Sequence, residues 1–258
     1  MSAEALYLRE DLAGLVGNED PFAYFGKLEG EVFRKLEFRQ TFCTTLNGKN
    51  YFVKFHRGSS VGEILKNLFQ FRLPVISARN EWRALRRLNE LGIAVPAVAA
   101  FGVRGKIPMT CVSFIVTDDV GTQENLEDLT RHWPEQPPVF SEKLALLKEV
   151  ALTSATMHNH GICHRDFYLC HFLISGQGDK RLTLLDLHRA LVKPVLGQRW
   201  RIKDIGGLYF SAMDIGLSQR DLLRFMRWYS GKKLKTIFSE DAAFWKRVRQ
   251  RAFKLKNK

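Results

Sequence analysis

The sequence has few cysteines and no long apolar segment. Its four cysteines are scattered along 258 residues, at Cys43, Cys111, Cys163 and Cys170, without the close-spaced framework of a disulfide-rich secreted domain. We therefore expect reduced thiols and a cytoplasmic protein. No stretch approaches about 18 uncharged apolar residues, so a membrane-spanning helix is not expected. The first residues also lack the basic and then apolar pattern of a signal peptide.

Acidic residues are outnumbered by basic ones. The chain has 27 Asp and Glu against 40 Lys and Arg, a formal net charge of +13. Such a charge attracts nucleic acid, phosphorylated substrates or an anionic membrane surface, and its sign alone does not choose among them. Hydrophobic residues make up 45% of the chain, which excludes a disordered protein and fits one large domain or two lobes.

One short segment carries the residues most suited to chemistry. His164-Arg165-Asp166 is followed by His171 five positions after Asp166, and Asp186 ends an apolar stretch twenty positions after Asp166. Phosphoryl transfer needs one carboxylate near the acceptor hydroxyl and a second that holds Mg²⁺ against the nucleotide phosphates. The spacing is typical of protein-kinase-like folds. It predicts Asp166 as the catalytic base and Asp186 as the metal ligand.

Other interpretations of these residues stay open at this point. Asp166 is also compatible with a turn or cap aspartate, and His171 with a hydrogen-bonded core histidine. A zinc site would need ligands from two Cys-His pairs, Cys163-His164 and Cys170-His171. Zinc sites favour spacings such as Cys-x-x-Cys, whereas adjacent residues point apart.

Three residues nearer the start are candidates for nucleotide binding. Lys54 lies in an apolar strand pattern, where a lysine either faces solvent or reaches the nucleotide phosphates. Glu81, at the start of a predicted helix over residues 78–91, is its natural ion-pair partner. Gly30 is the single glycine before the first strand pair, in place of a Gly-x-Gly-x-x-Gly loop. Fewer glycines limit the approach of the backbone to phosphates.

The order of predicted elements gives the fold class. Residues 28–56 read as strands with a turn at Asn47-Gly48, and further strands are expected over 93–101, 111–117 and 182–187. A helix is expected from a Ser141 cap to His160, after a proline-rich loop at 133–138 between lobes or elements, and helices dominate from Asp204 onward. The prediction is an α+β, protein-kinase-like two-lobed fold. Residues 1–120 form the β-rich N-lobe and 121–258 the mainly helical C-lobe.

Six segments along the chain fit one known pattern. They are Val53-Lys54-Phe55-His56-Arg57-Gly58, Glu81-Trp82, His164-Arg165-Asp166, Cys170-His171-Phe172-Leu173, Asp186-Leu187-His188-Arg189-Ala190 and Asp214-Ile215-Gly216-Leu217. Together they resemble the lipopolysaccharide core heptose(I) kinase family, from about residue 20 to 230. An amphipathic insert at 57–76 also resembles that family.

The resemblance implies that the enzyme uses ATP and Mg²⁺ to phosphorylate the first heptose of the inner core. Its acceptor would be lipid A–core oligosaccharide, at the cytoplasmic face of the inner membrane of a Gram-negative bacterium. The basic charge suits that anionic acceptor and an anionic inner-membrane surface, and no nucleic-acid partner is expected.

The resemblance also implies residue roles. Asp166 is the base, assisted by Arg165, which alternatively only anchors the loop. Lys54, Glu81 and Gly30 serve the nucleotide, and Asp186 and His171 the metal. A final carry-over has Asp204 bracing the catalytic loop.

Two departures from protein kinases suit the resembled family and, with the single glycine before the first strand pair, would also be the signs of a catalytically dead module. His171 replaces an asparagine, and His188 replaces the glycine that follows the metal-binding aspartate. The first rival is a kinase of another hydroxyl, on Kdo, a small molecule or a protein. The second is a catalytically dead kinase-like binding module. The third, a nucleic-acid-binding protein, is a hypothesis supported by the net charge alone.

Overall fold

A computed structural model describes residues 4–36, 38–58, 77–105, 107, 110–121, 123–174 and 182–257. The chain divides into two compact units. The first comprises Met1–Arg86 and Pro96–Gly121, and the second Arg87–Val95 and Thr122–Lys258. Arg87–Val95, which the sequence analysis assigned to the N-lobe, therefore belongs to the second unit. Most of the amphipathic insert, residues 59–76, lies outside the described residues.

An antiparallel six-stranded sheet forms most of the first unit. Its spatial order is β1-β5-β6-β4-β3-β2. The strands are β1 Glu4–Leu8, β2 Glu31–Leu36, β3 Arg39–Leu46, β4 Lys49–Arg57, β5 Val98–Arg104 and β6 Val112–Asp118. Two short helices, α1 Glu10–Val16 and α2 Pro21–Lys27, contribute apolar side chains to the core that this sheet covers.

Strand β4 lies inside this sheet and carries the candidate lysine. Tyr51, Val53 and Phe55 are buried in the core, and the two-residue alternation of a strand turns Lys54 to the opposite face. The predicted turn at Asn47-Gly48 is confirmed. Both residues have positive φ, 47° and 74°, which is the conformation that a two-residue hairpin turn needs.

Helix α3, Arg79–Glu90, confirms the helix predicted over 78–91. Trp82 stacks on Phe101 of β5 with ring centroids 4.4 Å apart and planes 5° apart. Gly92 follows the helix with φ of 73°, which glycine adopts without strain. The packing of Trp82 fixes the first turn of α3, which carries Glu81.

The strand predicted over 93–101 was wrong in its first half. Strand β5 begins at Val98, because Pro96 has no N–H to donate to a neighbouring strand. Ala94 belongs to the second unit, where its carbonyl accepts a hydrogen bond from the N–H of Leu184 at 2.9 Å. The strand predicted over 111–117 is confirmed as β6, displaced by one residue.

Helices dominate the second unit. They are α4 Leu126–Thr130, α5 Phe140–Asn159, α6 Gln198–Ser211, α7 Gln219–Ser230, α8 Leu234–Glu240 and α9 Ala242–Lys256. Helix α6 packs along α9, and α5 along α7. Short strands form two small sheets, β10-β9-β7 and β11-β8. These strands are β7 Glu124–Asn125, β8 Ile162–Cys163, β9 Phe172–Ile174, β10 Leu182–Leu184 and β11 Leu191–Val192.

Two sequence-based boundaries in this unit need correction. Helix α5 starts at Phe140, so Ser141 lies inside it and is not the cap. The strand predicted over 182–187 ends at Leu184, because Asp186 has a left-handed backbone that cannot continue a strand. The loop at 133–138 separates α4 from α5 within the second unit. Among the described residues, no helix has the length and apolar character needed to span a bilayer.

Candidate active site

The loop that carries Asp166 is anchored from behind by Asp204. The loop leaves β8 and enters a 3₁₀ turn at Leu169–His171. The N–H of His164 donates to Asp204 Oδ2 at 2.7 Å, and the N–H of Arg165 donates to Oδ1 at 2.8 Å. Arg165 has φ of 76°, an unfavourable conformation for a residue with a Cβ atom, so these two bonds stabilise a strained backbone. The brace expected for Asp204 is present.

A buried network holds Asp204 itself in place. His158 Nε2 lies 3.3 Å from Asp204 Oδ2, and His158 Nδ1 lies 2.8 Å from the hydroxyl of Tyr229. With the proton on Nε2, His158 donates to Asp204 and accepts from Tyr229. Burial raises the pKa of Tyr229 to about 12, which keeps it a neutral donor. Burial would raise the pKa of Asp204, but the hydrogen bond from His158 holds that pKa below its usual value.

The segment before Asp186 is tied to the same loop. His164 Nε2 donates to the carbonyl of Leu185 at 2.8 Å, and the N–H of Leu185 donates to the carbonyl of His171 at 2.9 Å. Asp186 follows directly with φ of 58°, and its carboxylate accepts a hydrogen bond from the imidazole of His188. The Asp186 side chain is 36% exposed. It is therefore fixed in direction yet open to a ligand.

His171 is influenced by the charges of both candidate carboxylates. Burial lowers the pKa of its imidazole, and the negative charges of Asp186 and Asp166 act in the opposite direction. The His171 ring also stacks on His164, with centroids 5.5 Å apart. His171 is thus tied to the loop that carries Asp166 and, through its carbonyl, to the segment that precedes Asp186.

Arg189 holds Asp166, a contact that sequence reasoning missed. Its Nη1 donates to both carboxylate oxygens of Asp166, at 2.8 and 3.0 Å. The two side chains are 25% and 21% exposed, so the pair lies at the surface of the loop. The available signal was a basic residue three positions after the metal-site candidate Asp186. His158 was missed as well, since no pattern links it to Asp204.

Arg165 points into the protein. Its Nη1 lies 3.3 Å from the carbonyl of Arg189, and its guanidinium lies 5.8 Å from the centre of the Trp200 ring. Burial lowers its pKa. These contacts are those of a loop anchor, the alternative that the sequence analysis left open. A catalytic role for Arg165 stays a prediction.

In the first unit, Lys54 and Glu81 form the expected ion pair. Lys54 Nζ lies 2.5 Å from Glu81 Oε1, and the side chains are 17% and 5% exposed. Strand β4 and the first turn of α3 position the two groups. The pair holds the amine of Lys54, whose side chain remains partly exposed.

Gly30 has a structural reason to be glycine. A Cβ atom at this position would overlap the carbonyl oxygen of Cys43 on β3. The residue is therefore required by the close approach of two chain segments beside the strand pair β2–β3. Its role at nucleotide phosphates stays a prediction.

The donor set suits magnesium better than zinc. In the parts of the chain that are described, no three His, Cys, Asp or Glu side chains are grouped to hold a metal ion. Cys163 is buried and His164 Nε2 donates to the carbonyl of Leu185, so the Cys163-His164 pair does not present a zinc site. Mg²⁺ takes oxygen ligands, often one or two carboxylates plus phosphate and water. The open carboxylate of Asp186 fits that requirement.

Comparisons with known proteins agree with this geometry. A model of the lipopolysaccharide kinase (Kdo/WaaP) family matches residues 23–229. The chain belongs to this family. Two similar proteins are named lipopolysaccharide core heptose(I) kinase WaaP. The one from Pseudomonas aeruginosa is 44% identical over 255 residues, covering 97% of this chain and 95% of that protein. The one from Escherichia coli K12 is 45% identical over 237 residues, covering 90% and 89%.

A solved structure gives the same result for the fold. The structure of WaaP in complex with acyl carrier protein is similar, with a TM-score of 0.85 and 39% identity, and the match covers 97% of this chain and 99% of that one. The predicted kinase-like α+β fold and the sugar-kinase class are confirmed. The roles of individual residues stay predictions.

Proposed function

We propose that this chain transfers the γ-phosphoryl group of ATP to a hydroxyl of the first heptose of the lipopolysaccharide inner core. The names of the similar proteins support this acceptor. The observation that carries the chemistry is the loop of Asp166, which Asp204 anchors and which is hydrogen-bonded to Leu185, the residue before Asp186.

Asp166 is proposed as the base that orients the heptose hydroxyl and accepts its proton. Phosphoryl transfer passes through a loose transition state, so positioning matters more than activation of the hydroxyl. Arg189 holds both oxygens of Asp166 and fixes the direction of the carboxylate. Arg165 supports this arrangement through the carbonyl of Arg189.

The remaining predicted residues serve the nucleotide. Mg²⁺, when bound, offsets the negative charge on the transferred phosphoryl oxygens. Asp186 is proposed to hold it, with His171 next to this carboxylate. Lys54, held by Glu81, is proposed to contact the nucleotide phosphates, and Gly30 to leave room for them beside β2.

Mass spectrometry of the acceptor tests this proposal. Purified protein is incubated with ATP and a core oligosaccharide that lacks phosphate on the first heptose. One added phosphoryl group on that heptose supports the proposal. Modification of Kdo alone would support the rival kinase, and no acceptor modification would support the dead module.

A membrane surface is proposed as a further partner, to which the basic residues of α9 are attracted. Lys246, Arg247 and Lys254 are exposed, whereas Val248 and Ala252 on the same helix are buried. Deleting the C-terminal part of α9 would therefore remove buried side chains and destabilise the second unit. Charge reversal at Arg247 and Lys254 is the sharper test. It should weaken sedimentation with anionic vesicles and leave turnover of a delipidated acceptor intact, and equal loss of both would contradict the proposal.

A second candidate activity is binding of an acylated acyl carrier protein, since the similar solved structure is that of WaaP in complex with acyl carrier protein. An apolar cavity of about 400 Å³ lies among α5, α6, α7 and α9. Its walls include Leu208, Phe225 and Trp245, and basic Lys246 and Arg249 border it. Such walls suit a fatty acyl chain, and the bordering charges suit an acidic carrier.

Native mass spectrometry with an acylated carrier tests this binding. Ala212→Phe places a ring in the cavity and should weaken the complex at least tenfold. Ala243→Phe, at an exposed position on α9, is the matched control. Equal affinity of the two variants would contradict the proposed acyl pocket.

A further inference from the structure

A cluster of basic side chains surrounds Trp200 close to Asp166. We call Arg165, Arg189, Lys193, Arg199 and Lys203 the basic rim. The guanidinium carbons of Arg165 and Arg199 lie 5.8 and 4.6 Å from the centre of the Trp200 ring, and Lys193 Nζ lies 5.8 Å from it. Arg189 completes the rim through its bonds to Asp166.

Lys203 lies three residues after Trp200 on α6, a spacing that makes the two side chains neighbours on the helix surface. Burial lowers the pKa of Lys203, and the positive charges of Arg165 and Arg189 lower it further, while Asp166 and Asp204 act in the opposite direction. The pKa of Arg165 responds in the same way, first to burial and then to the charge of Arg189. These cations therefore repel one another at a partly desolvated site.

The rim has too few anions to balance it. Within the described ranges, Arg165, Lys193, Arg199 and Lys203 form no ion pair, and Arg189 pairs only with Asp166. Among the described residues, the Nε atom of Arg165, a residue only 6% exposed, has no hydrogen-bond partner. A buried donor of this kind is costly unless a ligand satisfies it, and Lys193 and Arg199 are exposed and so accessible to the same ligand.

We propose that the basic rim binds an anionic substituent, a carboxylate or a phosphate, on the acceptor. This substituent lies beside the hydroxyl whose proton Asp166 accepts. This inference rests on the proposed function. Charge-assisted bonds from arginine and lysine fit both anions. Arg189 is a member of the rim and also bonds to Asp166. An anion bound at the rim would therefore position the acceptor hydroxyl at the base.

Paired acceptors test the proposal. One is an uncharged heptoside, and the other is the same heptoside linked to a carboxylate-bearing sugar. In the wild type, kcat/KM should be at least tenfold higher for the charged acceptor. Lys203→Met should reduce this ratio at least fivefold, whereas Lys148→Met, an exposed lysine on α5, should keep the wild-type ratio. Arg199→Gln, at an exposed position, gives a second variant if Lys203→Met folds poorly.

A ratio that stays at the wild-type value in both rim variants would overturn the proposal, as would a wild-type ratio near one. A third acceptor with phosphate in place of the carboxylate identifies which anion is preferred. Whether the wild type phosphorylates any heptoside at all tests the proposed function separately.

Binding of inorganic phosphate gives a readout that needs no turnover. Phosphate is titrated against the protein without ATP, and the thermal midpoint is followed. The apparent dissociation constant should rise at least fivefold in Lys203→Met and stay unchanged in Lys148→Met. A rise in Lys54→Met but not in Lys203→Met would place the ion with the nucleotide and overturn the proposal.

Discussion

Two faces of the catalytic loop treat carboxylates in opposite ways. Behind the loop, Asp204 is fully buried and accepts hydrogen bonds from backbone N–H groups. In front of it, Asp166 and Asp186 are partly exposed and are held by the side chains of Arg189 and His188. Backbone N–H groups are fixed in direction by the fold, whereas side chains can rotate and exchange one hydrogen-bond partner for another. The rear face therefore fixes the loop, and the front face is available for chemistry.

Removal of Asp204 should give the largest loss of stability. Asp204→Ala leaves two buried N–H groups and His158 without their acceptor, so the free energy of unfolding should fall by about 3–5 kcal/mol. Urea denaturation measures it. Asp214→Ala is the control, because Asp214 is 79% exposed and pairs with Lys256 at the surface. The control should change stability by less than about 1 kcal/mol. Similar losses in both variants would remove the distinction between the faces.

The Lys54–Glu81 pair joins a buried carboxylate, that of Glu81, to a partly exposed amine, that of Lys54. Lys54→Met should lower kcat/KM for ATP by on the order of 10²-fold, since one charged group at the phosphates is lost. Steady-state kinetics at varied ATP measures this. Lys49→Met on the same strand removes an exposed lysine, 49% accessible, and should stay near the wild type. Equal effects of the two variants would show that only net charge matters.

The smallest effect concerns pH. Burial lowers the pKa of His164 behind the loop and of His171 in front of it, so each binds a proton less readily in the folded than in the unfolded chain. Unfolded histidine takes up a proton below about pH 6.5. Stability is therefore full above that pH and falls below it, by up to about 1.4 kcal/mol per pH unit for each group. Urea denaturation between pH 7.5 and 5.5 should show a shallower decline for His171→Asn, and an unchanged slope would contradict this prediction.

Local patterns predicted much of the fold. The Asn47-Gly48 hairpin and helix α3 were visible in sequence, because turn chemistry and helical spacing are local properties. The Lys54–Glu81 pair, 27 positions apart, was predicted only because it matches the pattern of kinase-like folds. The strand at 93–101 was misplaced because the prediction followed the apolar run and did not weigh Pro96, which has no N–H to donate to a neighbouring strand. The strand predicted over 182–187 was too long for a similar reason. The apolar residues before Asp186 do not reveal its left-handed backbone conformation, which a strand cannot contain.

The candidate site was predicted only in part. Asp166, Asp186 and His171 were named from spacing and resemblance. The contact of Arg189 with Asp166 and that of His158 with Asp204 join residues 23 and 46 positions apart, and neither follows a repeated spacing. The close approach of Gly30 to Cys43 depends on strand packing. Such long-range contacts exist only once the chain has folded.

Single-turnover transfer by Asp166→Asn tests the central claim most directly. With saturating ATP and acceptor, the transfer rate should fall by on the order of 10³-fold, because the proton acceptor is lost. The free energy of unfolding should stay within about 1 kcal/mol of the wild type, since the front face does not hold the fold. A near-normal rate, or a loss of stability as large as that of Asp204→Ala, would contradict the account.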